Sequence, residues 1–175
     1  MSGKTPTRQE ALDLVLQYNE TDSLINHAKA VEAAMRFMAH KAGDDEEMWG
    51  AIGLVHDLDY EKFPAQHCQK TEAILRENDW PEDYIRAVLS HGWGICTDVE
   101  PQSLVEKTLY TVDELAGFVS ACALVRPSRS VQDLEVKSVK KKWKQKSFAA
   151  GVDREVVARG MAMLGVEFNE ITADV

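Results

Sequence analysis

Residues 51–61, AIGLVHDLDYE, place a histidine and three acidic side chains at the end of an apolar helical run. His56 and Asp57 are adjacent, and Asp59 and Glu61 follow shortly after them. Burying a charged or imidazole group in apolar surroundings is costly unless the group is paired or binds a metal. Imidazole nitrogens and carboxylate oxygens are common ligands of transition metals. Because adjacent helical residues point about 100° apart, the pair can share an ion only at a helix end, which favours a metal held between several helices.

The whole chain is predicted to be all-α, a single-domain helical bundle spanning residues 7–175. Thr7 and Glu10 form a capping box, Asp22 and Asp153 are expected to cap later helices, and Gly165 to end the last one. The patterns predict helices over residues 7–18, 22–43, 44–57, 65–77, 82–90, 101–125, 134–148 and 154–164. Residues 1–6 are expected to be flexible. The metal-site core is expected at about 22–125 and the C-terminal helices at about 134–165.

Charge and cysteine usage restrict the function classes. Residues 1–125 carry 10 Lys and Arg against 22 Asp and Glu, whereas residues 126–175 carry 10 against 7. An acidic body argues against nucleic-acid binding, while the basic C-terminal part suits an anionic small molecule. The longest nearly apolar run, 115–125, is too short to span a bilayer, and no signal peptide is evident. The isolated Cys68, Cys96 and Cys122 are expected to be free thiols, which indicates a cytoplasmic protein without a membrane partner.

Further histidines and an aspartate extend the candidate metal site. Asp113 stands beside the apolar face formed by Leu109, Val112 and Ala116, where a carboxylate requires a cation or a strong partner. Each candidate comes from a different helix or helix end, apart from the adjacent pair. The candidate ligands are His27, His56, Asp57, His67, His91 and Asp113.

The order His27, then His56-Asp57, then Asp113 on helices of an all-α chain resembles the HD-domain superfamily of metal-dependent phosphohydrolases. The two intervening histidines resemble the additional ligands of its two-metal branches. The residues that follow the His56-Asp57 pair are similar to those of HDIG-type hydrolases, but Asp59 stands where that family has a glycine. The resemblance covers residues 22–125 and implies a helical HD-type fold that holds one or two divalent ions.

Every candidate ligand also has a purely structural interpretation. His27 could be a hydrogen-bonded core histidine, and the adjacent His–Asp pair an interhelical hydrogen bond. Asp113 could belong to a buried ion pair. His67 could be a surface histidine, and His91 a cation at a helix end. The ordered set of six favours metal binding over these separate explanations.

Other charged residues are candidates for catalysis or substrate binding. Asp59 and Glu61 could transfer protons or support the ligands, or else belong to a solvated turn. Arg126 and Arg129 are candidates for binding a substrate phosphate, because arginine can contact phosphate through two nitrogens. A run of lysines is expected to form a solvated helix face: Lys137, Lys140, Lys141, Lys142, Lys144 and Lys146.

The function expected from the resemblance is metal-dependent hydrolysis of a phosphate ester or phosphoanhydride, with nucleotides among the candidate substrates. The ion would be Mn, Fe, Co, Ni or Zn, in one or two copies, and the partner a small phosphorylated molecule. Two alternatives stay open. One is a di-iron oxygenase with the same ligands, and the other is a non-catalytic module that senses a nucleotide. The sequence leaves the oligomeric state open.

Overall fold

Nine α-helices build the part of the chain that the computed structural model describes, residues 5–175. They are α1 (Arg8–Tyr18), α2 (Asp22–Ala42), α3 (Glu46–Val55), α4 (Gln69–Glu77), α5 (Glu82–Ser90), α6 (Leu104–Leu124), α7 (Val136–Trp143), α8 (Arg154–Leu164) and α9 (Phe168–Asp174). Among these residues there is no strand, and Trp93 and Thr97 form one isolated bridge. The all-α prediction is confirmed. No helix of the described region is long and apolar enough to cross a bilayer.

The predicted flexible N-terminus, residues 1–6, falls mostly outside the described residues. Within the described part, Pro6 is buried and Thr7 caps α1. The predicted capping box is present, because Thr7 Oγ1 accepts the backbone N–H of Glu10 at 3.2 Å and Glu10 Oε2 accepts that of Thr7 at 2.8 Å. Asp153 likewise caps α8, and Gly165, in the left-handed conformation with φ of 69°, ends that helix. The predicted bounds of α5 and α8 agree with the structure.

Two predicted helix starts need correction. Thr21, not Asp22, is the N-cap residue of α2, and Asp22 lies in the first turn, where its charge still suits the helix dipole. The sixth helix begins at Leu104 rather than at residue 101. Ser103 and Glu106 form a second capping box there, and this pattern was present in the sequence.

The helix predicted over residues 65–77 is interrupted before its second turn. A short 3₁₀ helix, Pro64–Gln66, is followed by His67 in an extended conformation and by Cys68 with φ of 71°. Because a left-handed residue cannot continue an α-helix, α4 begins only at Gln69. His67 therefore lies in a short connection between two helices rather than on a helix.

The C-terminal helices differ from prediction in length and number. Of the helix predicted over residues 134–148, only the shorter α7 forms, and Val139 is its one buried residue. A short final helix, α9, was not predicted, because its few apolar positions give no helical period. It is held by the buried Ile171 and Thr172.

The core is organised around α2, α3 and α6. α2 packs along both α3 and α6, and α6 packs in turn against α8. One buried cluster contains Val31 and Met35 of α2 with Ile52 of α3. A second joins Phe118 of α6 to Val157 of α8. Because α6 contributes to both clusters, the N-terminal and C-terminal helices form one domain.

The α6–α8 contact gives a stability prediction. An ideal Cβ at the buried Gly160 would lie 2.1 Å from Thr111 Oγ1 and 3.1 Å from Thr111 Cα. Gly160→Ala therefore forces α8 away from α6, and the free energy of unfolding should fall by about 1–3 kcal/mol in urea denaturation. Gly151→Ala is the matched control, because nothing lies within 4 Å of a Cβ there. Equal stability of both variants would contradict this helix packing.

Candidate metal centre

Six side chains from five parts of the bundle lie together, and all six are predicted ligands. Five of them line a cavity of about 320 Å³, and the sixth, His56, is fully buried beside it. His27 comes from the second turn of α2, and the adjacent His–Asp pair follows the C-terminus of α3. His67 precedes α4, His91 follows α5, and Asp113 lies in the middle of α6. The structure therefore brings together residues that are as much as 86 positions apart in the sequence.

Four of the six form a first half-site. The Nε2 atom of His27 lies 2.9 Å from Asp113 Oδ1, and that of His56 lies 3.2 Å from the same oxygen. Asp57 Oδ2 lies 3.4 Å from His56 Nε2 and 3.8 Å from His27 Nε2. All four donor atoms fall within 4.8 Å of one another, so they could hold one metal ion with little movement.

The second half-site shares Asp57 with the first. The other carboxylate oxygen of Asp57, Oδ1, lies 3.5 Å from His67 Nε2 and 3.4 Å from His91 Nε2. The two histidine Nε2 atoms are 3.2 Å apart. Asp57 thus directs one carboxylate oxygen to each half-site, as a ligand that bridges two ions would.

Backbone carbonyls orient two of the imidazole rings. His56 Nδ1 donates to Gly53 O at 2.7 Å, and His91 Nδ1 donates to Val88 O. A neutral ring protonated on Nδ1 carries its lone pair on Nε2. When neutral, both rings would present an Nε2 lone pair toward the other ligands, and outer hydrogen bonds of this kind are typical of metal-bound histidine.

Asp59 orients the third ring. This carboxylate is fully buried, accepts from His67 Nδ1 at 2.7 Å and also accepts the backbone N–H of Thr71 at 2.8 Å. With its proton held on Nδ1, His67 faces His91 with Nε2. The two Nε2 atoms, 3.2 Å apart, could share a proton or bind one cation together, and a donor set of this kind fits a metal ion.

The electrostatics of the cluster favour a bound cation. Burial lowers the pKa of His56, but the nearby Asp57 and Asp113 outweigh burial and raise this pKa well above its ordinary value. Burial raises the pKa of both carboxylates. His56 and His91 nevertheless hold the pKa of Asp57 below its ordinary range. His56 and His27 do the same for the pKa of Asp113. Both aspartates therefore stay ionised in a largely buried site.

The two residues predicted for acid–base catalysis, Asp59 and Glu61, lie at different distances from the candidate ligands. Asp59 positions His67 and does not line the cavity. Glu61 accepts hydrogen bonds from the backbone N–H groups of Glu20 and Thr21 at 2.8 and 3.1 Å, and from Thr21 Oγ1 at 2.6 Å. It closes the loop between α1 and α2, so the structure does not bring it to the metal ligands.

The two arginines predicted to bind a substrate phosphate also lie in different surroundings. Arg126 Nη2 donates to both the backbone oxygen and the Oδ2 of Asp133, each at 2.9 Å, and so organises its own loop. Arg129 is exposed and lines a separate cavity of about 760 Å³, whose wall includes His27 and Gly117. His27 and Gly117 also line the metal-site cavity, so the two cavities adjoin, but Arg129 lines only the larger one. The lysine run is mostly exposed along and after α7, as predicted.

Sequence reasoning missed Glu114, which lines the metal-site cavity beside Asp113. Its Oε2 accepts the backbone N–H of Asp153 at 2.9 Å. Burial, reinforced by the charge of Asp113, raises the pKa of Glu114 to about 7. The only signal was its adjacency to a candidate ligand. Tyr60 and Ile95, both exposed at the mouth of the cavity, were missed as well.

No protein-family model matches this sequence, and no solved structure matches it at a significant level. Ligand type, convergence of the donor atoms and the outer hydrogen bonds together support a site that could hold metal.

We expect the purified protein to bind up to two divalent transition metals per chain. Asp57→Ala removes the shared ligand, so both ions should be lost. His67→Ala and His91→Ala leave the first half-site complete and should halve the metal content measured by elemental analysis. His40→Ala is the matched control, because this exposed histidine pairs with Glu46 outside the cluster. Unchanged metal content in both second-site variants would leave a one-metal centre.

Asp59→Asn tests how the second half-site is supported. Losing the charged acceptor of His67 Nδ1 should weaken binding of the second ion by about 10–100-fold in a chelator competition and leave the first ion in place. Glu61→Gln, which changes a carboxylate that binds the α1–α2 loop and lies apart from the ligands, should not alter either affinity. Equal losses in the two variants would show a general effect on folding instead.

Proposed function

We propose that this protein is a metal-dependent phosphohydrolase of the HD-domain type, acting on a small phosphate ester or phosphoanhydride. The observation that supports this most strongly is the division of Asp57 between two half-sites, with His27, His56 and Asp113 on one side and His67 with a second histidine on the other. The order of these residues along the chain is that of the HD-domain pattern. An all-helical bundle carrying them agrees with the same proposal.

The metal would supply the electrophilic part of the chemistry. When bound, divalent ions activate water for attack on phosphorus and offset the negative charge of the transferring phosphoryl group. The two half-sites, which share Asp57, would hold the ions, and the chain adds a partly enclosed cavity that limits access of bulk water.

We assign proton transfer to Glu114 in place of Asp59 and Glu61. Among the carboxylates lining the cavity, Glu114 alone is outside the ligand set. The N–H of Asp153 holds its Oε2, which leaves Oε1 as the atom to take up or deliver a proton at the substrate.

The substrate we propose is a small phosphorylated molecule, with nucleotides as the first class to test. The 320 Å³ cavity accommodates a phosphoryl group, and the adjoining 760 Å³ cavity accommodates the rest of the molecule. Exposed Arg129 on the wall of the larger cavity can contact a second anionic group. The net charge of −9 argues against a nucleic-acid partner, and the three free thiols suit a cytoplasmic location.

Phosphate release from a substrate panel tests the proposal. Protein loaded separately with Mn²⁺, Fe²⁺, Co²⁺, Ni²⁺ or Zn²⁺ should hydrolyse at least one phosphomonoester or nucleotide. Glu114→Gln should lower kcat by about 10²–10⁴-fold without changing metal content, because the amide cannot exchange the proton. Glu155→Gln, an exposed change at the start of α8, is the matched control.

Other outcomes would reject the proposal in distinct ways. Oxygen consumption by the iron-loaded protein, without phosphate release, would identify the oxygenase chemistry. Nucleotide binding without turnover by fully loaded protein would identify a sensing module. If Glu114→Gln loses metal together with activity, this residue supports the neighbouring ligand and does not transfer protons.

A further inference from the structure

Two cysteines meet directly behind the second half-site. Cys68 immediately follows His67 in the chain. Cys96 lies in the turn that follows α5, and this turn begins at His91. Their sulfur atoms are 2.7 Å apart, and both residues are free cysteines. The pair thus connects the two chain segments that carry the histidines of this half-site.

The surrounding backbone is shaped to admit both sulfurs. A Cβ at Gly92 would lie 2.3 Å from Cys96 Sγ and 2.7 Å from Cys68 Sγ, so a side chain there would displace the pair. Cys68 also adopts a left-handed conformation, with φ of 71°, that residues with a side chain seldom adopt. Strain of this kind persists only where the surrounding structure maintains it.

A third metal site does not explain the pair. His67 is near both sulfurs, but its Nδ1 already donates to Asp59 and its Nε2 faces Asp57 and His91. No ring nitrogen of His67 is left for an ion held by the cysteines. The two thiols would then be its only ligands, which is too few for a protein site for zinc.

The two thiols differ in access. Cys68 is fully buried. Cys96 is half-buried, and it lines both the metal-site cavity and a neighbouring surface cavity of about 520 Å³ that contains Gln69 and Asp98. A small oxidant can therefore reach Cys96 first, while Cys68 stands ready as its internal partner.

We propose that Cys68 and Cys96 form a peroxide-reactive dithiol that closes to a reversible disulfide. Hydrogen peroxide transfers one oxygen to the Cys96 thiol, giving a sulfenic acid and one water. The Cys68 thiol then attacks this sulfur, the S–S bond forms, and a second water leaves. The two sulfurs lose two electrons and two protons in total, the peroxide is reduced to two waters, and a dithiol reductant reverses the change.

The disulfide would tie the His67 segment to the turn that follows His91. A sulfur–sulfur bond is about 2.05 Å long, so closure from the present separation needs only a small movement that leaves the ligands in place. Linking the two segments suppresses the local opening through which an ion escapes. Oxidation should thus retain the second ion. This consequence depends on the second half-site, whereas disulfide formation does not.

Peptide mapping of the reduced and peroxide-treated full-length protein tests the bond itself. Mass spectrometry of a non-reducing digest should show a linked Cys68–Cys96 peptide, which dithiothreitol then separates. Cys122→Ser should form the same link, since the buried Cys122 lies in the separate α6–α8 cluster. Cys96→Ser should form none. Over-oxidation of Cys96 without a link, or thiols that stay reduced while free cysteine is oxidised, would overturn the proposal.

Release of metal to a chelator tests the consequence on wild-type protein, which avoids any folding defect of a variant. The oxidised form should lose its second ion several-fold more slowly than the reduced form, with the first ion unaffected. Peroxide should not change the release rate of Cys96→Ser. Equal or faster release from the oxidised form would show that the disulfide does not protect the half-site, even if the bond forms.

Discussion

The structure depends on the electrostatic balance around Asp57. Four imidazole rings and two carboxylates lie together in a largely buried space, and each would be costly there alone. The carboxylates stay ionised because they face the rings. A cation between the Nε2 atoms of His67 and His91 would be held by both rings. A site that gathers ionised carboxylates and imidazole nitrogens in this way is well suited to bind metal.

The packing of α2 against α3 makes this convergence possible. A Cβ at Gly53 would lie 3.1 Å from the backbone of Glu32, so a glycine there allows the two helices to approach closely. Close approach brings the rings of His27 and His56 to a centroid distance of 5.2 Å. The same residue supplies the carbonyl that accepts from His56 Nδ1. Helix packing and ligand orientation are therefore set by one short segment of α3.

The proposed dithiol and the proposed metal centre share a structural element. His67 and Cys68 occupy consecutive positions in the short connection before α4, and His67 faces the metal-site cavity while Cys68 faces Cys96. Interrupting the helix at this point lets the two neighbouring side chains serve different sites. A continuous helix would have carried His67 on its surface, held by helical geometry instead of by Asp59.

The sequence by itself determined the helical class, the ends of several helices and the six candidate ligands. These follow from local rules, because capping boxes, apolar period and ligand type are readable from neighbouring residues. Only the tertiary structure decided which charged residues accompany the ligands. Asp59 became the hydrogen-bond partner of His67, Glu61 closed a distant loop, and Glu114 reached the cavity. Such roles depend on which helix faces which, and contacts between residues far apart in sequence leave no local pattern to read.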